Sequence, residues 1–432
     1  VTEAIPAAPV PAPVGVSDLL RIPDFRRLFV AQAVSDIGDG MTYLALFLLV
    51  LNLTGSTALI ALVSILVAVP PVTIGLFAGA WADRTDRRRI MLASDSARAV
   101  LVAAMVLFAT LDGIPVLFAL AFLQAVVGTF FSPARSALVP KVVPAGALLA
   151  AASLSQSTRM IASVVGATVT GAVAAAAGSV WPVFLVDAAT FLFSVAVVYR
   201  VSRTAGAPDA AAAAEIRAGG MGSAVADGLR VVRRSPQLIA AMGGVAVTML
   251  GVGAINVLFV PFLVKELGGS PAWLGPMEAA QTISMVLAGG LVATLAGRVR
   301  VSSLLVGGIA GTAVCVGLMG LAPGPWAMLV LSFSVGWFVM PVQASTMTIV
   351  AQATTDATRG RVAGALNAAM QTASIASMAA AGVLASIVGM RAVFFVGGAV
   401  AGIAALVAWL LFRSAPTGSA ADVGREVLAG QR

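Results

Sequence analysis

Long apolar stretches separated by short polar breaks run the length of this chain. Twelve can be counted, at about 28–51, 57–82, 90–111, 115–133, 147–177, 180–201, 238–264, 272–296, 302–322, 325–350, 361–388 and 391–412. A run of about 20 apolar residues is long enough to cross the hydrocarbon core as a helix. Lipid offers the backbone no other partner than its own helix. The pattern therefore predicts an all-α polytopic membrane protein with twelve transmembrane helices. The one long polar interruption, 202–236, divides it into six-helix halves at 28–201 and 237–413. Tails at 1–27 and 414–432 flank the halves. The segment SPARSALVP before the fifth span and TTDATRGRVAG before the eleventh echo each other, as a duplicated unit would.

Composition agrees: 60% of residues are hydrophobic, only 10% are charged, and the mean hydropathy is +1.02. Soluble domains carry about 25% charged residues, so a soluble enzyme is excluded. The net charge of +8 raises nucleic acid as a partner, and the placement of the charge removes it. All Lys and Arg but four (Arg98, Arg159, Lys265 and Arg391) fall in segments on the same side as the termini. That is the positive-inside pattern, which predicts a multi-pass protein of the cell membrane with both termini cytoplasmic. No basic patch with interleaved aromatics is present to read bases or phosphates. The expected partners are a small-molecule substrate, protons and the lipid bilayer, with the chain acting as a monomer.

Residues 1–16 are rich in Pro and Ala and are expected to be disordered, with no cleavable leader. Residues 19–27 read as an amphipathic lead-in on the inner membrane face. Trp181, Trp273 and Trp326 fall at the outer span ends, where indole rings favour the headgroup region. With no histidine and one cysteine, a His-based metal site and an intramolecular disulfide are impossible. No cofactor or metal is expected. No G-x-x-x-x-G-K-[S/T] loop occurs, so energy must come from an ion gradient, with carboxylates carrying protons.

The first span holds AQAVSDIGDGMTY, in which Gln32, Asp36, Asp39 and Tyr43 lie four, three and four residues apart on one helical face. A carboxylate near the bilayer centre costs about 2.5–3.5 kcal/mol on insertion scales, so two in one helix need a reason. Ionised together at about 6 Å they repel by roughly 3 kcal/mol, and a shared proton relieves this. Asp36 and Asp39 are thus candidates for proton coupling. The alternative is that either one pairs with an arginine or caps a kink at Gly38 or Gly40. Glu278 in the eighth span is a third candidate, the alternative being a carboxylate that snorkels to the outer surface. Asp187 in the sixth span reads as an interhelical hydrogen-bond partner. A polyspecific cavity needs scattered amides among aromatic and Met side chains. Besides Gln32 and Tyr43, the residues that fit are Arg159, Asn256, Phe259, Gln281, Trp337, Met340, Gln343, Asn367 and Gln371.

Between the second and third spans, Gly79 to Arg89 reads GAWADRTDRRR. Its spacing, G-x-x-x-D-R-x-x-R-R, resembles the signature loop of the major facilitator superfamily. It is most similar to the exporter branch that includes macrolide efflux pumps and the enterobactin exporter. The resemblance implies a central site between the two halves. It also implies secondary active export of amphipathic drugs or metabolites by proton antiport, with macrolide-like compounds, siderophores and hydrophobic cations as substrate classes. It makes Gly79, Asp83, Arg84, Arg87 and Arg88, joined by Asp95 and Arg98, a conformational latch, with Asp83 bonding the start of the next helix. It supports Asp39 within Gly38–Asp39, and Arg159. The arginine that the superfamily carries in helix 4 falls at Gln124, and the helix 5 motif is reduced to Gly166-Ala167 through Thr170-Gly171. A proton-independent facilitator or a symporter of a native metabolite is the competing transporter reading. A non-transporting scaffold or sensor is the reading from another class.

Overall fold

The computed structural model describes residues 16–110, 112–144, 147–203, 232–233, 235–295, 298–354 and 356–414. Residues 1–15 and 415–432 and most of the 202–236 linker lie outside these residues. Among the described residues, twelve long helices follow a short lead-in helix: α1 (Pro23–Thr54), α2 in two pieces (Thr57–Thr73 and Gly75–Arg84), α3 (Arg87–Met105), α4 (Ile114–Val142), α5 (Leu148–Ala177) and α6 (Trp181–Val198). After the linker come α7 (Pro236–Val252, continued by Ile255–Pro261 and a π turn, Phe262–Glu266), α8 (Leu274–Leu295), α9 (Val301–Met319), α10 (Pro325–Ala353), α11 (Asp356–Val388) and α12 (Met390–Ser414). Ten of these are long and apolar enough to cross a membrane. The interrupted α2 and the 22-residue α8 complete the set of twelve. No strand occurs among the described residues. The protein is an all-α, multi-pass membrane protein.

The two halves repeat one packing scheme. In the first, α1 packs on α5 and α6, α3 on α4 and α6, and α2 on α4. In the second, α7 packs on α11 and α12, α9 on α10 and α12, and α8 on α10. Between halves the main contacts are α2 with α11 and α5 with α8. The apolar core shows where those contacts sit. One cluster joins both halves at the end of the bundle far from the termini, from Leu46 and Phe184 to Phe262 and Phe394. At the termini end the clusters separate. One, around Leu305 and Val362, belongs to the second half, and another, around Met91 and Leu138, belongs to the first. The molecule is therefore shut at the far end and parted at the termini end.

Small residues make the far-end closure. A Cβ on Gly275 of α8 would stand 2.3 Å from Thr168 Oγ1 of α5, and one on Gly382 of α11 would stand 2.5 Å from Ala61 Cβ of α2. Such backbone proximity is how helices associate in lipid without a hydrophobic driving force. Two of the four exceptional cations also sit at this end. Lys265, in the π turn after Pro261, bonds the Gly55 carbonyl across the halves. Arg391 bonds the Gly320 and Ala322 carbonyls at 2.9 and 3.2 Å and lies 3.7 Å from Glu266. Trp273 and Trp326 meet there edge to face, 4.5 Å apart.

Two boundaries differ from the sequence expectation. SPARSALVPKVVP reads as a loop, yet α4 continues through Pro133 and Pro140 to Val142. A proline's fixed φ suits a helix and removes one hydrogen bond, which costs less than unwinding backbone at the membrane boundary. The lead-in helix Val16–Arg21 is expected to lie on the membrane face. Instead Leu19 and Phe25 are buried against Val143, Ala147 and Ala151.

Candidate functional site

A cavity of about 800 Å³ runs from the middle of the first half toward the termini end. α1 supplies Asp36, Asp39, Thr42, Tyr43 and Leu46, α2 supplies Val67, Pro71 and Gly75, and α3 supplies Arg98. α4 contributes Gln124, Phe131 and Arg135, and α5 contributes Arg159 and Ser163. The break in α2 shapes one wall. Consecutive Pro70 and Pro71 lie near the end of its first piece, which stops at Thr73, and the second starts at Gly75; each proline lacks an N–H and so leaves a carbonyl of the preceding turn without its helical bond.

Asp36, Asp39 and Tyr43 of the α1 stripe face this cavity while Gln32 is buried outside its lining, and the charges are not left to share a proton between themselves. Arg98 of α3 reaches across to Asp39 and forms an ion pair with it. Gln32 donates to Asp36 at 3.2 Å. Arg98 also lies 3.7 Å from Asp95, and its guanidinium stacks on Phe191 at 4.1 Å. Asp95 is fully buried and accepts a 2.6 Å bond from Ser194 of α6. The Asp39 side chain is 37% exposed and Asp95 only 1%, so Arg98 links a carboxylate open to the cavity with one sealed behind it. Asp187 accepts from Thr42 at 2.6 Å and from Thr190 at 2.9 Å, an interhelical tie between α6 and α1.

Asp95 and Arg98 thus depart from the expected latch, since their partners are Ser194, Asp39 and each other, none of them on the Gly79–Arg89 loop. Within the loop, Asp86 rather than Asp83 caps α3, accepting from the Arg88 and Arg89 amides at 2.9 and 3.2 Å. This adds a turn that puts Arg87, Arg88 and Arg89 on the helix. Arg88 bonds the Val198 and Tyr199 carbonyls at the end of α6 and stacks on the Tyr199 ring. Arg87 is buried, Arg84 is exposed, and a Cβ on Gly79 would meet nothing within 4 Å. The Asp83 side chain lies outside the described residues.

The second half contributes none of the residues lining this cavity. Glu278 of α8 accepts a 3.2 Å bond from Ser163 of α5, tying the halves together. Gln281 packs at the α8–α10 contact, its carbonyl oxygen 2.3 Å from where a Gly336 Cβ would stand. Trp337 stacks on Phe333, Met340 packs toward Gly289, and Phe259 leans on the joint core. Asn256, Gln343, Asn367 and Gln371 are exposed. Among the described residues no group of acids and cysteine is placed to hold a metal ion. The sequence reading treats Arg135 as a topological charge and overlooks Thr42 and Ser163. The signal for Arg135 was its register, since an α4 carried past Pro133 turns it inward.

Twelve helices in two like halves, parted at one end, with a cavity carrying charged side chains inside the first half, have the architecture of a transporter of the major facilitator type. The chain belongs to the transmembrane secretion effector family, which matches residues 16–428. It is 25% identical to the multidrug efflux pump Tap of Mycolicibacterium fortuitum, over 85% of this chain and 90% of Tap. It is 27% identical to the enterobactin exporter EntS of Shigella boydii, over 79% of this chain and 80% of EntS. Macrolide efflux protein A of Streptococcus pyogenes is 26% identical over 65% of this chain and 69% of its own length. A bacterial homologue of the iron transporter ferroportin, solved facing inward, shares the fold with a TM-score of 0.73 at 16% identity, covering 91% of this chain and 99% of that one. The chain is a transporter of a family with exporters among its members, and not an enzyme.

Proposed function

We propose that this protein exports amphipathic small molecules across the cell membrane by proton antiport and alternating access, with its termini in the cytoplasm. The observation that carries this reading is the Asp39–Arg98 pair on the cavity wall, backed by buried Asp95. A proton arriving on Asp39 cancels its hold on Arg98. The guanidinium then turns toward Asp95, which lies 3.7 Å away and has an oxygen, Oδ1, without a hydrogen-bond partner. That exchange moves the α1 face relative to α3 and couples proton occupancy to the shape of the cavity. Gln124 stands where the superfamily carries an arginine, which favours a proton-independent facilitator. Against this, Arg98 brings a guanidinium to the same wall from α3, packed against Gly128 at the midpoint of α4, one turn from Gln124. The concentration of Lys and Arg on the termini side supports the cytoplasmic placement.

The test is transport in proteoliposomes with an imposed pH gradient. The intact chain should drive substrate against its gradient, and Asp39→Asn should abolish this while substrate binding stays measurable. A facilitator would ignore the pH gradient, a scaffold would move nothing, and unchanged accumulation by Asp39→Asn would reject the coupling role.

A further inference from the structure

We infer that Arg135 and Arg159 form an anion-selecting site at the mouth of the cavity, so that the substrate is an amphipathic organic anion: a carboxylate, sulfonate or phosphate ester on an apolar body. This rests on the exporter reading above and gives it a substrate class. Five charged side chains line the cavity: Asp36, Asp39, Arg98, Arg135 and Arg159. Asp39 and Arg98 cancel as a pair. What remains is two guanidinium groups against one carboxylate, and that carboxylate already accepts a bond from Gln32. Among the described residues, neither Arg135 nor Arg159 is within ion-pair distance of an acid. Their charges instead oppose one another, with Asp36 the only acid acting on Arg135. The remaining acid near this wall, Glu278 of α8, is held by Ser163.

Two like charges facing one cavity without a bonded acid are unfavourable, and an anion between them relieves the repulsion. Guanidinium groups suit this because their planar forks match carboxylate and phosphate oxygens. Neighbouring Ser132 and Ser136 offer hydroxyls on the same stretch of α4. The rest of the lining fixes the substrate's other end. Leu46, Val67, Pro71 and Ala121 lie deeper, toward the closed end, so an entering molecule meets cations first and an apolar floor second. Topology alone does not explain the pair. Arg159 stands three turns into α5, outside the segments that hold most of the basic residues.

The experiment measures equilibrium binding to the full chain in phosphatidylcholine nanodiscs, using three probes with one ring system: naphthaleneacetic acid, its amide and naphthylmethylamine. The acid should bind about tenfold more tightly than the amide, the effect of one good charge-assisted contact, and the amine most weakly. Arg135→Gln/Arg159→Gln should erase the difference between acid and amide. Unchanged amide affinity in that variant shows that the fold is intact, and Arg135→Lys/Arg159→Lys should keep part of the preference. Equal affinity for acid and amide, preference for the amine, loss of all three probes together in the Gln variant, or no binding by the intact chain would each overturn the inference. Loss of the acid preference only when phosphatidylglycerol is added would assign the pair to a lipid headgroup and overturn it as well. A chain that binds the acid selectively but moves nothing in proteoliposomes leaves the site standing and removes the exporter reading. Transport indifferent to substrate charge does the reverse.

Discussion

The two halves share a packing scheme and divide the work. In the first, α1, α3, α4, α5 and α6 all carry ionisable side chains inward, among them Asp36, Asp39, Asp95, Arg98, Arg135, Arg159 and Asp187. In the second, the span interiors hold almost no charge. Glu278 is the exception, and Lys265, Glu266 and Arg391 sit at the far-end loops, where they bond carbonyls or one another. A charge within lipid needs a partner or a cavity, and the first half supplies both. The second half offers close backbone contact through Gly275 and Gly382. Duplication gives two similar bundles, but the antiport proposed above needs titratable groups on only one of them. The other has to pivot.

The strongest way to break this comparison is to remove Arg98. Deleting one member of a buried ion pair typically costs about 3–5 kcal/mol. The lower end applies here, because Asp39 keeps access to cavity water while Asp95 does not. Arg98→Gln should therefore lower thermal stability in detergent by about 3 kcal/mol and abolish coupled transport. Asp95→Asn/Arg98→Gln should recover part of the stability without recovering transport. Unchanged stability in Arg98→Gln would show that the cluster is well hydrated and that the first half has no special electrostatic role.

Next in size is the pivot. A valine at Gly275 has no room beside Thr168, and a leucine at Gly382 has none beside Ala61. Gly275→Val and Gly382→Leu should prevent far-end closure and shift the population toward a form open on that side. Transport should fall by about tenfold or more, as expected when a closed state is destabilised by 1.4 kcal/mol or more. With Cys315→Ser as background, since Cys315 is the chain's one cysteine, spin labels on the α2 and α11 far ends would read the separation. Labels that stay together would mean that the contact is incidental.

The all-α, many-span architecture was legible because it follows from the length and composition of the apolar runs. The polar stripe of α1 was legible because its spacing puts Asp36, Asp39 and Tyr43 on one face. What one helix cannot reveal is its partner. Arg98 sits 59 residues beyond Asp39, and only the packing of α1 against α3 and α6 brings it there. The same limit applies to the second half, where Trp337 and Met340 have the composition of a cavity wall, yet Trp337 stacks on Phe333 of its own helix and Met340 packs toward Gly289 of α8. The sequence reading gives the start of α3 to Asp83, but the cap falls to the aspartate that takes the extended backbone of an N-cap. Asp86 does, with φ −60° and ψ 110°.

The finest discrimination comes from Glu278, one turn into α8 and the one acid in the span interiors of the second half among the described residues. Its carboxylate meets Ser163, a hydroxyl that a neutral amide can also bond. If Glu278 only holds α8 against α5, Glu278→Gln keeps that bond and should change transport by no more than about fivefold, since a charged and a neutral hydrogen bond differ by about 1 kcal/mol net. Ser163→Ala should cost about as much as Glu278→Ala, and the double change no more than either alone. If Glu278 carries protons, Glu278→Gln should instead abolish pH-driven transport as Asp39→Asn does, while Ser163→Ala leaves it largely intact. Measured side by side in one proteoliposome assay, these variants separate a hinge contact from a second titrating site. A loss in Glu278→Gln as large as that in Asp39→Asn would end the division of labour between the halves.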